Sequence, residues 1–209
     1  MLKEQIEKSF YITYPKKPNC LVNITEEQKI GVFVLYDNEA CKGCARCIAD
    51  ETQKVNIHIS STRPVFVVRM NQVISYLKER VGKNCDAILA NDDMVIFLEM
   101  TCSEPHYVTP IYGKRSKAIS QLKSTIGLFE LNPDLSAFMK ARSGRYMILS
   151  WKDTSQPVDE ADSAERGYTA FTDLADEVYS VDNVRMMDNG FIFKEIHYPD
   201  ILQIDDLLD

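Results

Sequence analysis

The chain has 209 residues, of which 45% are hydrophobic and 26% are charged, a composition that suits a globular protein with a buried core. It has no apolar run of the roughly 18 to 20 residues that a membrane-spanning helix needs, nor the apolar segment of a secretory signal, so we expect a soluble, cytoplasmic protein. The net charge of −7 argues against a protein coated with nucleic-acid-binding surface.

Apolar periodicity and turn residues predict a series of helices and strands. In chain order we predict a helix at 2–9, strands at 30–38 and 55–59, a helix at 71–82, strands at 85–91 and 94–101, helices at 114–130 and 134–141, a strand at 145–151, a helix at 163–176 and a strand at 191–198. The stretch 63–70 is ambiguous and could be an extended segment that leads into the helix after it. This order predicts an α/β (α+β) fold with a central mixed sheet flanked by helices.

One compact domain is expected, with three regions along the chain. Residues 1–84 form an N-terminal region with a cysteine cluster, and residues 85–151 form a core of hairpin, helix and strand. Residues 152–209 contain a helix, a strand and an acidic tail. No internal repeat or low-complexity segment separates these regions.

The most informative stretch is CDAILANDDMVIFLEMT at 85–101, in which two apolar runs flank an Asn/Asp turn. This pattern predicts a β-hairpin with one acidic residue on each strand, Asp86 and Glu99. Carboxylates on adjacent strands can bind one hard cation such as Mg²⁺, which polarises a phosphodiester and lowers the pKa of the attacking water. The two acids could instead be structural, with Asp86 at a strand start and Glu99 paired with Arg69 or Lys117.

The order of Asp86, the triplet Glu99-Met100-Thr101, the helix at 117–126 and the strand at 146–151 resembles the PD-(D/E)XK nuclease superfamily. The resemblance extends over residues 86–151 and implies a restriction-endonuclease-like core, similar to small nuclease-like proteins of bacterial defence and restriction systems. In that family a lysine follows the glutamate by two residues, on the same face of the strand, and stabilises charge in the transition state.

Thr101 stands where the family has its lysine, so the resemblance implies a catalytically degenerate site. The leading hypothesis is a non-catalytic or conditionally active subunit of a bacterial nucleic-acid-processing or anti-phage defence complex, with protein partners and DNA or RNA as ligand. The alternative is an active Mg²⁺-dependent DNA endonuclease that uses Asp86, Glu99 and a displaced lysine, Lys117 or Lys114.

The segment CKGCARC contains three cysteines at the spacing of sets that wrap around a metal, namely Cys41, Cys44 and Cys47. With Cys20 as fourth ligand they predict a tetrahedral zinc site, and a zinc-stabilised adaptor protein is then a further functional alternative. An iron–sulfur cluster is the second possibility, and a helix over 39–50 that buries its cysteines as small apolar side chains is the third. Possible substitutes for Cys20 are Cys85, Cys102 and His58.

Two further segments suggest binding surfaces. The stretch at 113–124 contains four cations and no acid, so it could bind a phosphate backbone or be an ordinary solvated helix; its cations are Lys114, Arg115, Lys117 and Lys123. The C-terminal DILQIDDLLD interleaves apolar and acidic residues. We favour a segment that docks onto a protein partner over a last core helix. Its apolar residues are Ile201, Leu202, Ile204, Leu207 and Leu208.

Overall fold

The computed structural model of the chain describes residues 2–36, 56–103, 113–153, 184–186 and 190–207. The strands in these ranges are β1 (Glu26–Leu35), β2 (Ile57–Arg69), β3 (Ala87–Ala90), β4 (Met94–Ser103), β5 (Gly144–Asp153), β6 (Val184–Met186), β7 (Ile192–His197) and β8 (Ile201–Gln203). They form one sheet in the order β1-β2-β3-β4-β5-β7-β6, with β8 paired with β2. Strands β1 to β4 are antiparallel neighbours, whereas β4, β5 and β7 are parallel. The prediction of a mixed α/β fold around a mixed sheet is therefore confirmed.

Helices cover one face of this sheet. The N-terminal helical segment contains α1 (Leu2–Gln5), a π-helical turn (Ile6–Phe10) and α2 (Tyr11–Thr13), and it is followed along the chain by α3 (Met70–Ser75), α4 (Lys114–Glu130) and α5 (Pro133–Lys140). The helix α4 forms because apolar residues recur every three or four positions, so that one side is buried along its whole length. The buried apolar residues of α4 are Ala118, Leu122, Ile126 and Phe129.

The hairpin that joins β3 to β4 depends on Asn91. Its side-chain Oδ1 accepts hydrogen bonds from the backbone N–H groups of Asp93 and Met94, both at 2.9 Å. Its own backbone N–H donates to the Met94 carbonyl. An asparagine that caps the following backbone amides is the usual chemistry of such turns. The register of the hairpin, with Ala87 opposite Leu98, follows from this turn.

Two apolar layers lie on opposite faces of the sheet, and β4 contributes to both. Val95 and Phe97 point towards the helices, where they pack with residues of the N-terminal segment, α4 and α5. Met94, Ile96, Leu98 and Met100 point to the other face. Because β4 is central and buried on both faces, its sequence is a continuous apolar run, as expected for a strand between two layers.

The predicted helix at 71–82 is wrong in its extent, because α3 ends at Ser75. After it, Leu77 forms an antiparallel bridge with Lys16. The Lys17 N–H donates to the Tyr76 carbonyl and the Lys78 N–H donates to the Pro15 carbonyl, both at 2.9 Å. These backbone groups are therefore satisfied by pairing with the N-terminal loop rather than by further helical turns.

The ambiguous stretch at 63–70 belongs to a strand. Strand β2 is continuous from Ile57 to Arg69, and its pairing with β1 shifts register between Lys29 and Gly31. Residues 62–64 lie at this irregularity, which tolerates Pro64 because no ladder hydrogen bond from its nitrogen is needed there.

The C-terminal segment packs against the body of the protein. Strand β8 pairs in parallel with β2, and a 3₁₀ turn (Asp205–Leu207) follows it. Leu202, Ile204 and Leu207 are buried in the second apolar layer, and of the described tail residues only Ile201 is a large exposed apolar residue. The predicted docking role of Leu202 and Leu207 therefore does not hold, because they already form part of the core; Leu208 lies outside the described residues.

Candidate functional site

Asp86 lies immediately before β3 and is fixed against β4. Its backbone N–H donates to the Leu98 carbonyl at 3.0 Å, and its carbonyl accepts from the Met70 N–H at 2.9 Å. The carboxylate Oδ2 accepts from the backbone N–H of Met100 at 2.6 Å. The side chain is half-buried. These contacts place the Asp86 carboxylate beside the residue that follows Glu99.

Glu99 lies on the helix-covered face of β4 and is 8% exposed. Its Oε1 accepts a hydrogen bond from the Gln121 Nε2 of α4 at 2.6 Å. The same nitrogen also contacts the Asn84 carbonyl oxygen at 3.2 Å. Gln121 therefore connects α4 to Glu99 and to the segment that leads into Asp86.

The pKa of the buried Cys85 thiol is affected by the charges of both Glu99 and Asp86. The thiol is fully buried, and burial is the main reason why its pKa lies well above the ordinary value. A hydrogen bond with Thr125 lowers the pKa of this thiol, while the charges of Glu99 and Asp86 both raise it.

The Lys114 side chain of α4 contacts the end of β4 at Cys102, the residue that follows Thr101. Thr101 is half-buried. The Lys114 Nζ donates to the Cys102 carbonyl at 2.6 Å. Burial lowers the pKa of Lys114, with a further lowering from the positive charge of Lys117 and an opposing contribution from Cys102. Lys117 is exposed one turn before Gln121 on α4, so it is Lys114 that the structure brings into contact with β4.

Near its N-terminal end, α4 forms a buried ion pair with the sheet. Arg115 Nη2 contacts Glu195 Oε2, and the two side chains are 8% and 1% exposed. Glu195 lies on β7, and the registers of the parallel strands align it with Leu149 of β5 and Glu99 of β4. Acidic residues are therefore present at this level of the sheet on both β4 and β7.

His197 lies two residues after Glu195 on β7 and is mostly buried. Burial lowers its pKa to about 4; the charge of Arg115 also lowers it, and Asp200 opposes the shift. The imidazole packs edge-on against Trp151, with ring centroids 4.9 Å apart. At neutral pH this histidine is therefore uncharged, because protonation would place a cation in a poorly solvated site near Arg115.

The four cations predicted to form one basic face do not share a surface. Lys117 and Lys123 are exposed and Lys114 is half-buried, but Arg115 is 7% exposed and paired with Glu195. Its guanidinium points to the interior, because positions 115, 118 and 122 share one side of the helix. The structure thus separates Arg115 from the outward-facing lysines.

Three of the four predicted zinc ligands lie outside the described residues, namely Cys41, Cys44 and Cys47. Cys20 is half-buried, whereas Cys85 and Cys102 are buried. The Cys102 Sγ accepts from the Asn56 side chain, and His58 packs on Tyr198. Within the described ranges, no three His, Cys, Asp or Glu side chains form a metal-binding group. The zinc and iron–sulfur hypotheses stay predictions.

Sequence reasoning missed Gln121, Glu195 and His197 as parts of this site. Gln121 is three residues after the buried Ala118 and four before the buried Thr125, so helical spacing places it at the side of α4 that approaches β4. Glu195 and His197 alternate with apolar residues in FIFKEIHY, so a strand pattern assigns them to one face. What the sequence lacks is any sign that this face is buried and that Arg115 is the partner of Glu195.

No protein-family model matches the chain, and neither a curated protein nor a solved structure is similar enough to match it. Among the residues that the structure describes, every helix is too short or too polar to cross a membrane.

Proposed function

We propose that the chain is a nuclease-like protein with a restriction-endonuclease-like core, in which Asp86 and Glu99 bind a divalent cation and a lost lysine has reduced catalysis. The observation that carries this proposal is that the Asp86 carboxylate is bound at Met100, the residue that directly follows Glu99 in β4. Asp86 contacts Met100 N–H, and Glu99 is held by Gln121 of the helix that follows in the chain.

The arrangement of elements supports this proposal. Three antiparallel strands, β2, β3 and β4, are followed by α4 and then by β5, which is parallel to β4. Asp86 precedes the second of these strands and Glu99 lies on the third. This is the order of strands, helix and acidic positions on which the resemblance to the PD-(D/E)XK superfamily rests.

The donor atoms suit Mg²⁺ or Mn²⁺. Carboxylate oxygens are the hard ligands these ions prefer, and Mg²⁺ is commonly held by one or two carboxylates while it keeps several waters. A bound cation of this kind supplies charge for polarising a phosphate and activating water. The protein's own residues fix the two carboxylates: Met100 N–H orients Asp86, and Gln121 orients Glu99.

Thr101 supports the assignment of reduced catalysis. Its hydroxyl carries no positive charge to stabilise a phosphorane-like transition state, and one such electrostatic donor contributes roughly 10²- to 10³-fold to a rate. We therefore propose a role in binding nucleic acid within a larger assembly, such as a bacterial anti-phage defence complex. Cleavage would be weak or conditional.

One contact favours a second candidate, an active endonuclease. The Lys114 ammonium lies at the Cys102 carbonyl, one residue beyond Thr101, and is thus the cation best placed to replace the missing lysine. In this case Lys114, rather than Lys117, would supply the positive charge, while Asp86 and Glu99 would keep their roles.

Plasmid incubation with Mg²⁺ or Mn²⁺ separates the two candidates. If the site has lost its catalytic activity, we expect no cleavage above background by the wild type. Mn²⁺ should still bind to the wild type, and its affinity should fall in Glu99→Gln. For the active site we expect cleavage that is lost in both Glu99→Gln and Lys114→Met. Lys140→Met is the matched control, because Lys140 is an exposed lysine at the end of α5 and belongs neither to the site nor to its approach. Mn²⁺ affinity that is equal in the wild type and in Glu99→Gln would reject both candidates.

A further inference from the structure

Basic residues from distant parts of the sequence lie along one side of the molecule. The loop at 15–17 and the segment at 78–83 together carry five cations and one acid, Glu79, in a chain whose net charge is −7. All five cations are exposed. The cations are Lys16, Lys17, Lys78, Arg80 and Lys83.

Backbone pairing fixes the two segments beside each other. Lys16 forms an antiparallel bridge with Leu77, and hydrogen bonds of 2.9 Å on either side connect Lys17 to Tyr76 and Lys78 to Pro15. The Lys17 Nζ also donates to the Ser75 carbonyl at 2.6 Å. The cations of the two segments are therefore held close together by the fold and are not independent charges on separate loops.

The segment at 78–83 runs along α4 and leads by way of Asn84 to the acid pair. A Cβ on Gly82 would lie 3.7 Å from the Ser124 Oγ, so the segment runs in contact with α4 beside the exposed Lys123. Two residues after Gly82, the Asn84 carbonyl contacts Gln121, which in turn binds Glu99. Asp86 is the second residue after Asn84 in the chain.

The surface between the segments is concave. Residues 13–15 and 77–81 line a pocket of about 320 Å³, in which Lys78 and Arg80 supply two positive charges against the one negative charge of Glu79. Arginine and lysine in a groove of this sign attract phosphate groups, and arginine can contact two phosphate oxygens at once.

We propose that the basic strip, defined as Lys16, Lys17, Lys78, Arg80, Lys83 and Lys123, binds the phosphate backbone of a nucleic acid and leads it to Asp86 and Glu99. The continuity of the strip with the acid pair favours a nucleic acid over other anionic surfaces, because an extended polyanion can occupy both at once. The inference rests on the proposed function for the role of the acid pair. Binding to the strip itself requires no metal.

The test is fluorescence anisotropy in EDTA, with labelled duplex DNA and a labelled single-stranded RNA of the same length. Lys78→Gln/Arg80→Gln is compared with Lys29→Gln/Lys140→Gln, which removes the same charge from β1 and from the end of α5. Each phosphate contact contributes about 0.7 to 0.9 to the slope of log K against log salt, so losing two lowers the slope by almost two. Between about 50 and 200 mM salt, we expect the wild type and the control to lose roughly tenfold more affinity than the strip variant.

Several outcomes would overturn the proposal: no binding of either nucleic acid by the wild type, or an equal salt slope for the strip variant and its control. Phosphatidylserine vesicles provide the other arm, and vesicle binding as tight as nucleic-acid binding, with the same sensitivity to Lys78 and Arg80, would reassign the strip to a membrane surface. Thermal melting by circular dichroism checks that both variants are folded. The EDTA titrations report on the strip without a bound metal, whereas the Mn²⁺ titrations of the wild type and Glu99→Gln report on the acid pair, so that failure of the metal site and failure of the strip give different results.

Discussion

Arg115 and Glu195 illustrate how one contact can hide a residue from sequence reasoning. A run of four cations without an acid indicates a solvated basic face, and two of the four, Lys117 and Lys123, are exposed as that interpretation requires. The partner of Arg115 lies 80 positions away on β7. A single sequence contains no signal for such a pairing, because it depends on the packing of α4 against a strand that comes much later.

The Arg115–Glu195 pair should be much more sensitive to single than to double replacement. Removal of one partner leaves a buried charge without its counterion, and we expect Arg115→Met or Glu195→Leu alone to reduce the free energy of unfolding by about 3 to 5 kcal/mol. The double variant should be considerably more stable than the sum of the two losses predicts. Urea denaturation of all four proteins measures this coupling, and strictly additive losses would contradict it.

His197 should make stability fall with acid. Its folded-state pKa of about 4 lies below the ordinary value of 6.5, so between these pH values the unfolded chain takes up a proton that the folded protein does not. Stability that is complete above pH 6.5 is therefore lost as the pH falls towards 4, by at most about 3 kcal/mol.

Denaturant titrations at several pH values compare the wild type with His197→Gln. We expect the variant to lose less stability than the wild type between pH 6.5 and 4. His58→Gln, the same replacement at a half-buried histidine of β2, is measured beside it for comparison. An unchanged pH profile in His197→Gln would show that other groups cause the acid sensitivity.

Among the secondary-structure elements, α4, α5 and the β3–β4 hairpin could be predicted from the sequence, because each is determined by local signals. The helix α4 has its apolar spacing, α5 has the cap Asn132, whose side chain accepts from Asp134 N–H and Leu135 N–H, and the hairpin has Asn91. Elements shaped by distant partners were predicted less well. The early end of α3 and the full length of β2 depend on the N-terminal loop and on β1.

The C-terminal segment is the clearest example of an element whose structure depends on a distant partner. The interleaved apolar and acidic residues suggested a docking segment or a last core helix, and the strand that forms instead depends on the pairing of β8 with β2. The notable feature is that Ile201 and Leu202 are neighbours with opposite environments, 45% and 1% exposed.

This contrast gives a direct test of the tail. We expect Leu202→Ala to lower the free energy of unfolding by about 2 to 4 kcal/mol, because it removes buried apolar volume from the second layer. Ile201→Ala should cost well under half of that. Equal and small effects at the two positions would show that the tail detaches in solution, as the docking hypothesis required.

For the molecule as a whole, the sheet divides the protein into two apolar layers, and the acid pair lies where α4 crosses the helix-covered face. The positions of Asp86 and Glu99 on one hairpin were predicted from the two apolar runs and the turn between them. The residues around these two acids could not be predicted from the sequence. Tertiary packing brings them there, and they are Gln121, Lys114 and the residues of the basic strip.

Diffraction from crystals soaked in Mn²⁺ tests the shared cation site directly, since the anomalous signal of the ion locates it without reference to activity. We expect an anomalous peak within bonding distance of oxygens from both Asp86 and Glu99, about 2.0 to 2.3 Å for ions of this kind, and its loss in crystals of Glu99→Gln. Crystals that bind Mn²⁺ only elsewhere, or in which these two carboxylates face apart, would contradict a common cation site and with it the proposed nuclease-like function.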